Sequence, residues 1–134
     1  MTVSGTHHGR VEWIDTDAAG IHHNTAIVRY VESAEATLVR DLGLDGYFPV
    51  APRVRYEVDF EAPLRFGDEV AATVRVERVG RSSLTLGFEV WGGPAGTPAV
   101  RVARGRYVTV HLDPVAGTAA AWPDAWRAAL GADT

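Results

Sequence analysis

The sequence predicts an α+β domain in which an antiparallel sheet of about five strands has one face covered by a single long helix. Three patterns carry this reading. Apolar residues recur at helical spacing from Asn24 to Leu42, apolar and charged residues alternate without a fault from Arg53 to Ala62, and three further two-residue periods follow before His111. At 134 residues the chain is read as one domain, 1–134, built around one core.

Each element has its own signal. From His8 to Ile14, Val11 and Trp13 alternate with Arg10 and Glu12, as a short strand requires. In the helix, Ile27, Val31, Ala34 and Leu38 form the apolar stripe, flanked by Tyr30 and Leu42, with Arg29, Ser33, Ala36 and Arg40 opposite. Gly43 stops it where a left-handed cap is wanted, and Asn24 or Thr25 is the expected N-cap. A proline-containing loop, Tyr47 to Pro52, leads into the most regular strand. There Val54, Tyr56, Val58, Phe60 and Ala62 share one face, and Arg53, Arg55, Glu57, Asp59 and Glu61 the other.

Pro63 and Gly67-Asp68 end that strand. The next places Val70, Ala72, Val74 and Val76 on one face, Gly80 to Ser82 turn the chain, and Leu84, Leu86, Phe88 and Val90 define another. After the Gly92–Pro98 loop, the segment from Ala99 to His111 slips out of phase. Val100 and Val102 share a face with Val108 and Val110, yet Arg104 and Arg106 stand between them, so either the arginines emerge at a site or interface or a bulge shifts the register. Trp122, Trp126 and Leu130, following Pro123, mark a short C-terminal helix. One helix covers one face of such a sheet, and association with a second copy is the simple way to use the rest.

The bulk properties narrow the functions. A formal charge of -4 with a pI near 5.7 disfavours broad binding to nucleic acid or anionic membranes, leaving a small molecule as the expected partner. No cysteine is present, which excludes disulfides, thiolate zinc sites and a cysteine nucleophile. The N-terminal MTVSGTHHGR has no apolar core of a signal peptide and no run is long enough to span a bilayer, so the expected location is the cytoplasm.

The chemistry concentrates in Asp15-Thr16-Asp17-Ala18-Ala19-Gly20-Ile21-His22-His23-Asn24. A calcium loop is a poor fit, since Ala19 stands where an acid or amide belongs and Ala26 where the bidentate glutamate belongs. Nor do His22 and His23 have a third ligand at diagnostic spacing, and no metal or cofactor is expected. A polar turn between strand and helix is the plain alternative. The stronger reading uses the helix start: its free N–H groups favour negative charge and can polarise a carbonyl, while a nearby carboxylate attacks or orients water at the same carbon.

These residues, with Tyr30, Glu32 and Ala34 on the helix, resemble the signature of hotdog-fold acyl-CoA thioesterases of the 4-hydroxybenzoyl-CoA thioesterase type. YEVDFEAPLRFGDEV and GRSSLTLGFEVW are similar to that family's next strand and hairpin, and the likeness runs over roughly residues 8 to 111. The resemblance implies a hotdog fold, with the sheet wrapped around the helix, and thioester hydrolysis. It makes Asp17 the catalytic carboxylate, as nucleophile or general base, with backbone N–H groups from His23 to Thr25 (Asn24 between them) polarising the carbonyl, and Glu32 at the family's acidic helix position. Gly20, His22, His23 and Thr25 then line the substrate, and Arg81, Arg104 and Arg106 are the candidate partners of coenzyme A phosphates. Histidines replace the aromatic stretch common after the glycine. The implied partners are an acyl-CoA or acyl-carrier thioester and a second copy, as a homodimer or homotetramer. Two other functions share the fold: a dehydratase or hydratase, whose motif is not seen, and a catalytically silent acyl-binding or dimerisation domain.

Overall fold

A computed structural model describes residues 3–132. Strand β1 spans Ser4–Arg10, helix α1 Asn24–Leu42, β2 Arg53–Phe60, β3 Glu69–Val79, β4 Ser83–Gly93, β5 Val100–Val110 and helix α2 Asp124–Ala129. The strands form one antiparallel sheet in the order β1-β3-β4-β5-β2, with α1 lying across β1, β3 and β4.

The core is where the two periodicities meet. Ile27, Val31, Ala34 and Leu38 from α1 pack on Val70, Ala72, Val74, Leu84, Leu86, Phe88 and Val90, all nearly inaccessible to solvent. At Gly5 the helix comes so close to β1 that a Cβ would stand 2.8 Å from both the Ala34 carbonyl oxygen and the Leu38 Cβ. The helix ends as its sequence indicates, on Gly43 at φ 68°. At the other end the observed N-cap is His23 rather than Asn24 or Thr25. Its side chain makes no capping bond, and its N–H is instead held by the Asp15 carbonyl oxygen at 2.7 Å.

Two further departures have clear causes. The first strand ends at Arg10, because Trp13–Asp15 is a 3-10 turn: the Asp15 N–H donates to the Glu12 carbonyl, and the Glu12 N–H to the Asp15 carboxylate at 2.8 Å. Val11 is buried, but Trp13 swings out and is 73% exposed. The segment predicted as a plain loop carries a second 3-10 turn at Phe48–Val50. In β5 the slip is a bulge. Val90 pairs with Ala103 and Trp91 with Arg101, so Val102 is the extra residue, and its carbonyl oxygen accepts the N–H groups of Glu61 and Ala62. Beyond the bulge Tyr107 and Thr109 turn inward, and Arg104 and Arg106 lie on the face away from α1.

The C-terminal segment closes the far end of α1. Trp122 is buried, donates its indole N–H to the Ser83 carbonyl oxygen at 3.0 Å, and stacks on Tyr47 with ring centroids 6.0 Å apart.

Candidate active site

Between the 3-10 turn and α1 the chain folds into a small hairpin. Thr16 and His22 form an antiparallel bridge, the Asp17 N–H donates to the Ile21 carbonyl at 2.9 Å, and the Gly20 N–H returns to the Asp17 carbonyl at 2.9 Å. Gly20 has φ 81°, a conformation costly for any residue with a Cβ, so its part is to make this turn. Asp17 sits at the exposed tip. Its Oδ1 accepts the Ala19 N–H at 2.9 Å, which fixes the carboxylate and leaves Oδ2 open.

The other aspartate has the opposite environment. Asp15 is 3% exposed and is clasped by Arg29, whose Nη2 lies 2.6 Å from both carboxylate oxygens, and by the Tyr30 hydroxyl at 3.0 Å. Burial alone would raise its pKa, but the Arg29, Glu12 and Tyr30 donors outweigh it and hold the carboxyl below its ordinary range. Asp15 therefore fastens the hairpin to the first turns of α1. Sequence reasoning missed this role: Arg29 and Tyr30 follow Asp15 by 14 and 15 residues, a separation no local pattern reports.

His22 braces the opposite side. It is 5% exposed, its N–H donates to the Leu64 carbonyl at 2.9 Å, and its Nδ1 accepts the Leu64 N–H at 3.0 Å. An accepting Nδ1 places the ring proton on Nε2 in the neutral form. Burial lowers the His22 pKa, with His23 adding to the shift and the negative charge of Asp17 opposing it. His23, Asn24 and Thr25 are exposed at the helix start, and among the described residues the N–H groups of Asn24 and Thr25 have no acceptor. A carboxylate and a pair of free helical donors thus stand at the two ends of one braced loop.

The remaining candidates lie elsewhere. Glu32 is exposed, about 12 Å along the helix axis from Asn24 by the helical rise, with its carboxylate 3.7 Å from Arg53. The buried acid of the helix is Glu35, bonded to Arg53 and, at 2.8 Å, to the Tyr47 hydroxyl. Burial pushes the Glu35 carboxyl up, and Arg53 and Tyr47 pull against it. Arg81 is exposed in the β3–β4 turn. Arg104 lies 3.9 Å from Asp59 and 3.8 Å from Glu61, and Arg106 3.6 Å from Glu77, so the sheet's outer face already neutralises these arginines. Apolar groups gather around the hairpin instead. Trp13, Phe60 and Phe66 are all exposed, with Trp13 packed edge-on against Phe66 at 5.6 Å.

Among the described residues no group of three or more His, Asp or Glu is arranged to hold a metal ion, and no helix is long and apolar enough to cross a membrane.

The family model of the thioesterase superfamily matches residues 19–99. The chain is similar to a thioesterase from Thermus thermophilus solved with coenzyme A and zinc, at 28% identity over 96% of this chain and 98% of that one, TM-score 0.79. A predicted thioesterase from Bacillus stearothermophilus is 26% identical over 95% of this chain and 93% of that one, TM-score 0.83. In fold it is also similar to 4-hydroxybenzoyl-CoA thioesterase from Pseudomonas sp. strain CBS-3, at 20% identity over 94% of this chain and 98% of that one, TM-score 0.84. No curated protein matches the sequence. With a family match over more than half its length and the five-stranded sheet and helix described above, the chain belongs to the thioesterase superfamily and is a hotdog-fold thioester hydrolase.

Proposed function

We propose that the protein hydrolyses acyl thioesters of coenzyme A or of an acyl carrier protein in the cytoplasm, with Asp17 as its catalytic carboxylate. One observation carries the assignment: Asp17 is an exposed carboxylate held by its own turn beside a helix start whose Asn24 and Thr25 N–H groups are free. The family match begins at residue 19, so support for Asp17 comes from this geometry and from its motif.

In this reading the thioester carbonyl oxygen accepts the Asn24 and Thr25 N–H groups, and the helix dipole stabilises its growing negative charge. Asp17 then adds to the carbonyl carbon, expelling the thiolate and leaving an anhydride that water opens, or it removes a proton from the attacking water. Both routes give a free acid and a thiol. A single turnover in heavy-oxygen water that leaves label in the Asp17 carboxylate identifies an anhydride opened at the Asp17 carbonyl carbon, and capture of the acyl-enzyme by hydroxylamine identifies one opened at the acyl carbon; the general-base route gives neither.

The site is completed by a second copy. Asp17 lies on an open surface in the hairpin before α1, whereas Glu32 stands about 12 Å along that helix from Asn24 by the helical rise, paired with Arg53. A dimer, alone or within a tetramer, brings Glu32 of one protomer toward the Asp17 of its partner. Arg81, exposed in its turn, is open to a substrate phosphate.

Thiol release from a panel of acyl-CoA thioesters tests the proposal. Asp17→Asn is expected to reduce kcat by roughly a thousandfold or more with the fold retained, a loss of about 4 kcal/mol in transition-state stabilisation. A variant as active as the native protein would refute the assignment of Asp17.

A further inference from the structure

Both halves of the site hang on one residue. His22 lies between Ile21, whose carbonyl oxygen accepts the Asp17 N–H, and His23, the N-cap of α1, whose own N–H is held by the Asp15 carbonyl oxygen. Its bridge to Thr16 closes the base of the hairpin. The Asp17 carboxylate and the Asn24 and Thr25 donors therefore keep their relative places only while His22 keeps its own.

Two hydrogen bonds to a single residue hold it there. The His22 N–H donates to the Leu64 carbonyl oxygen at 2.9 Å, and the ring Nδ1 accepts the Leu64 N–H at 3.0 Å. Leu64 is a fixed point, fully buried in the core and so close to β4 that a Cβ on Gly92 would stand 2.8 Å from its Cδ2. Phe60 flanks the imidazole, with ring centroids 6.3 Å apart.

This clamp works in one protonation state. A neutral ring with its proton on Nε2 offers a lone pair at Nδ1, whereas an imidazolium carries N–H at both positions and meets the Leu64 N–H donor to donor. A buried donor left without an acceptor costs free energy, so the contact opens and the hairpin moves off the core. The opposite brace persists. Arg29, Glu12 and Tyr30 hold the Asp15 carboxyl below its ordinary range, so the hairpin pivots on that side and stays attached.

The surroundings favour the neutral ring at neutral pH. Burial lowers the His22 pKa most, His23 lowers it further, and the charge of Asp17 opposes both. On the elements packed against the ring, the charged groups have other partners or face solvent. Glu61, next to Phe60, is paired with Arg101 at 2.6 Å, and Arg29 of α1 is paired with Asp15. Beside Leu64, the Arg65 side chain is exposed, and the Asp68 carboxylate accepts the Arg65 N–H at 2.9 Å.

We propose that His22 is a positioning residue of the hydrolase: its neutral ring clamps Leu64 and so sets the Asp17 carboxylate against the helix donors, and protonation of the ring releases the clamp and lowers turnover. The effect on turnover rests on the reading of Asp17 as the catalytic carboxylate; the clamp itself does not.

Two substitutions and one spectroscopic readout test it on the intact protein. NMR follows the titration of the His22 ring and the exchange protection of the Leu64 amide in one sample. Across that titration, which lies below pH 6.5, Leu64 protection is expected to fall about 10-fold or more while the amides of β4 keep theirs. Native kcat, on the acyl-CoA turned over fastest in the panel, is expected to fall by about 10-fold or more over the same interval. His22→Asn keeps an oxygen near the place of Nδ1 and cannot take a proton, so it should hold kcat within about threefold of native at pH 8 and lose the fall. His22→Leu removes the acceptor and should lower kcat by about 10-fold or more at pH 8 with KM within about threefold of native, the signature of a misplaced reacting group. Circular dichroism checks the fold of each protein at each pH.

A native kcat that stays level through the ring's titration, an equal fall in His22→Asn, or native kcat in a folded His22→Leu would overturn the proposal. Loss of Leu64 protection on titration, in a protein that hydrolyses no thioester, would uphold the clamp and remove the hydrolase reading instead. Unchanged Leu64 protection in an active enzyme would do the reverse.

Discussion

Two aspartates with a single residue between them do different work, and burial decides which does what. Asp15 is inaccessible and saturated with donors, so it holds shape, whereas Asp17 is exposed and has an open oxygen, so it is free to react. Asp17→Asn is accordingly expected to remove activity while shifting stability by no more than about 0.5 kcal/mol, the usual range for a surface exchange. Asp15→Asn should cost about 2 kcal/mol in urea unfolding, reduced from the value for a fully buried pair because Arg29 is half exposed. His22 adds a pH dependence. Its folded pKa is below the ordinary 6.5, so the unfolded chain binds the proton more readily; stability is complete above about 6.5 and declines as pH falls through the folded value. Glu35, whose pKa is raised, gives the opposite slope as pH rises above its ordinary value of 4.5, so the contribution of His22 is read as the difference between native and His22→Gln unfolding curves from pH 8 to 5. The motif made both aspartates and both histidines visible in the sequence. Their division of labour was not legible there, since it depends on Arg29, Tyr30 and Leu64 arriving from other elements.

At the scale of elements, periodicity read α1 to its observed bounds because its stripe, its length and Gly43 all agree. β1 was misplaced because Val11 and Trp13 continue an alternation that the Glu12 to Asp15 bonds interrupt. Glu35 escaped notice for a related reason: it falls beside Ala34 on the buried side, and Tyr47 and Arg53, which make it tolerable there, lie 12 and 18 residues onward. Replacing Glu35 by Ala should therefore cost about 3 kcal/mol, as expected when one partner of a buried pair is removed. The approach of α1 to β1 gives a sharper test. Gly5→Ala is expected to destabilise by about 2 kcal/mol, because the nearest atoms include helix backbone that cannot step aside. An unchanged urea midpoint in either variant would contradict these contacts.

For the whole molecule, β2 is the exposed margin. It is the last strand of the sheet, Val54 and Phe60 are 60% and 46% exposed, and it pairs with β5 alone among the described strands. We expect light scattering to report a dimer or tetramer, and the double substitution Val54→Lys, Phe60→Lys to weaken association at least about 10-fold by placing charge on that margin. If the site needs both copies, activity per chain should fall with dilution along the same curve.

The hairpin carrying Asp17 is tied at one side to Arg29 and Tyr30 of α1 and at the other to Leu64, so it belongs to the same cooperative unit as the central helix. Active sites on loosely held loops commonly fail before the protein melts. Here heat inactivation should track global unfolding, with the loss of turnover and the loss of helical signal sharing one midpoint, so thermal tolerance of the catalyst can be raised by strengthening the core far from the substrate.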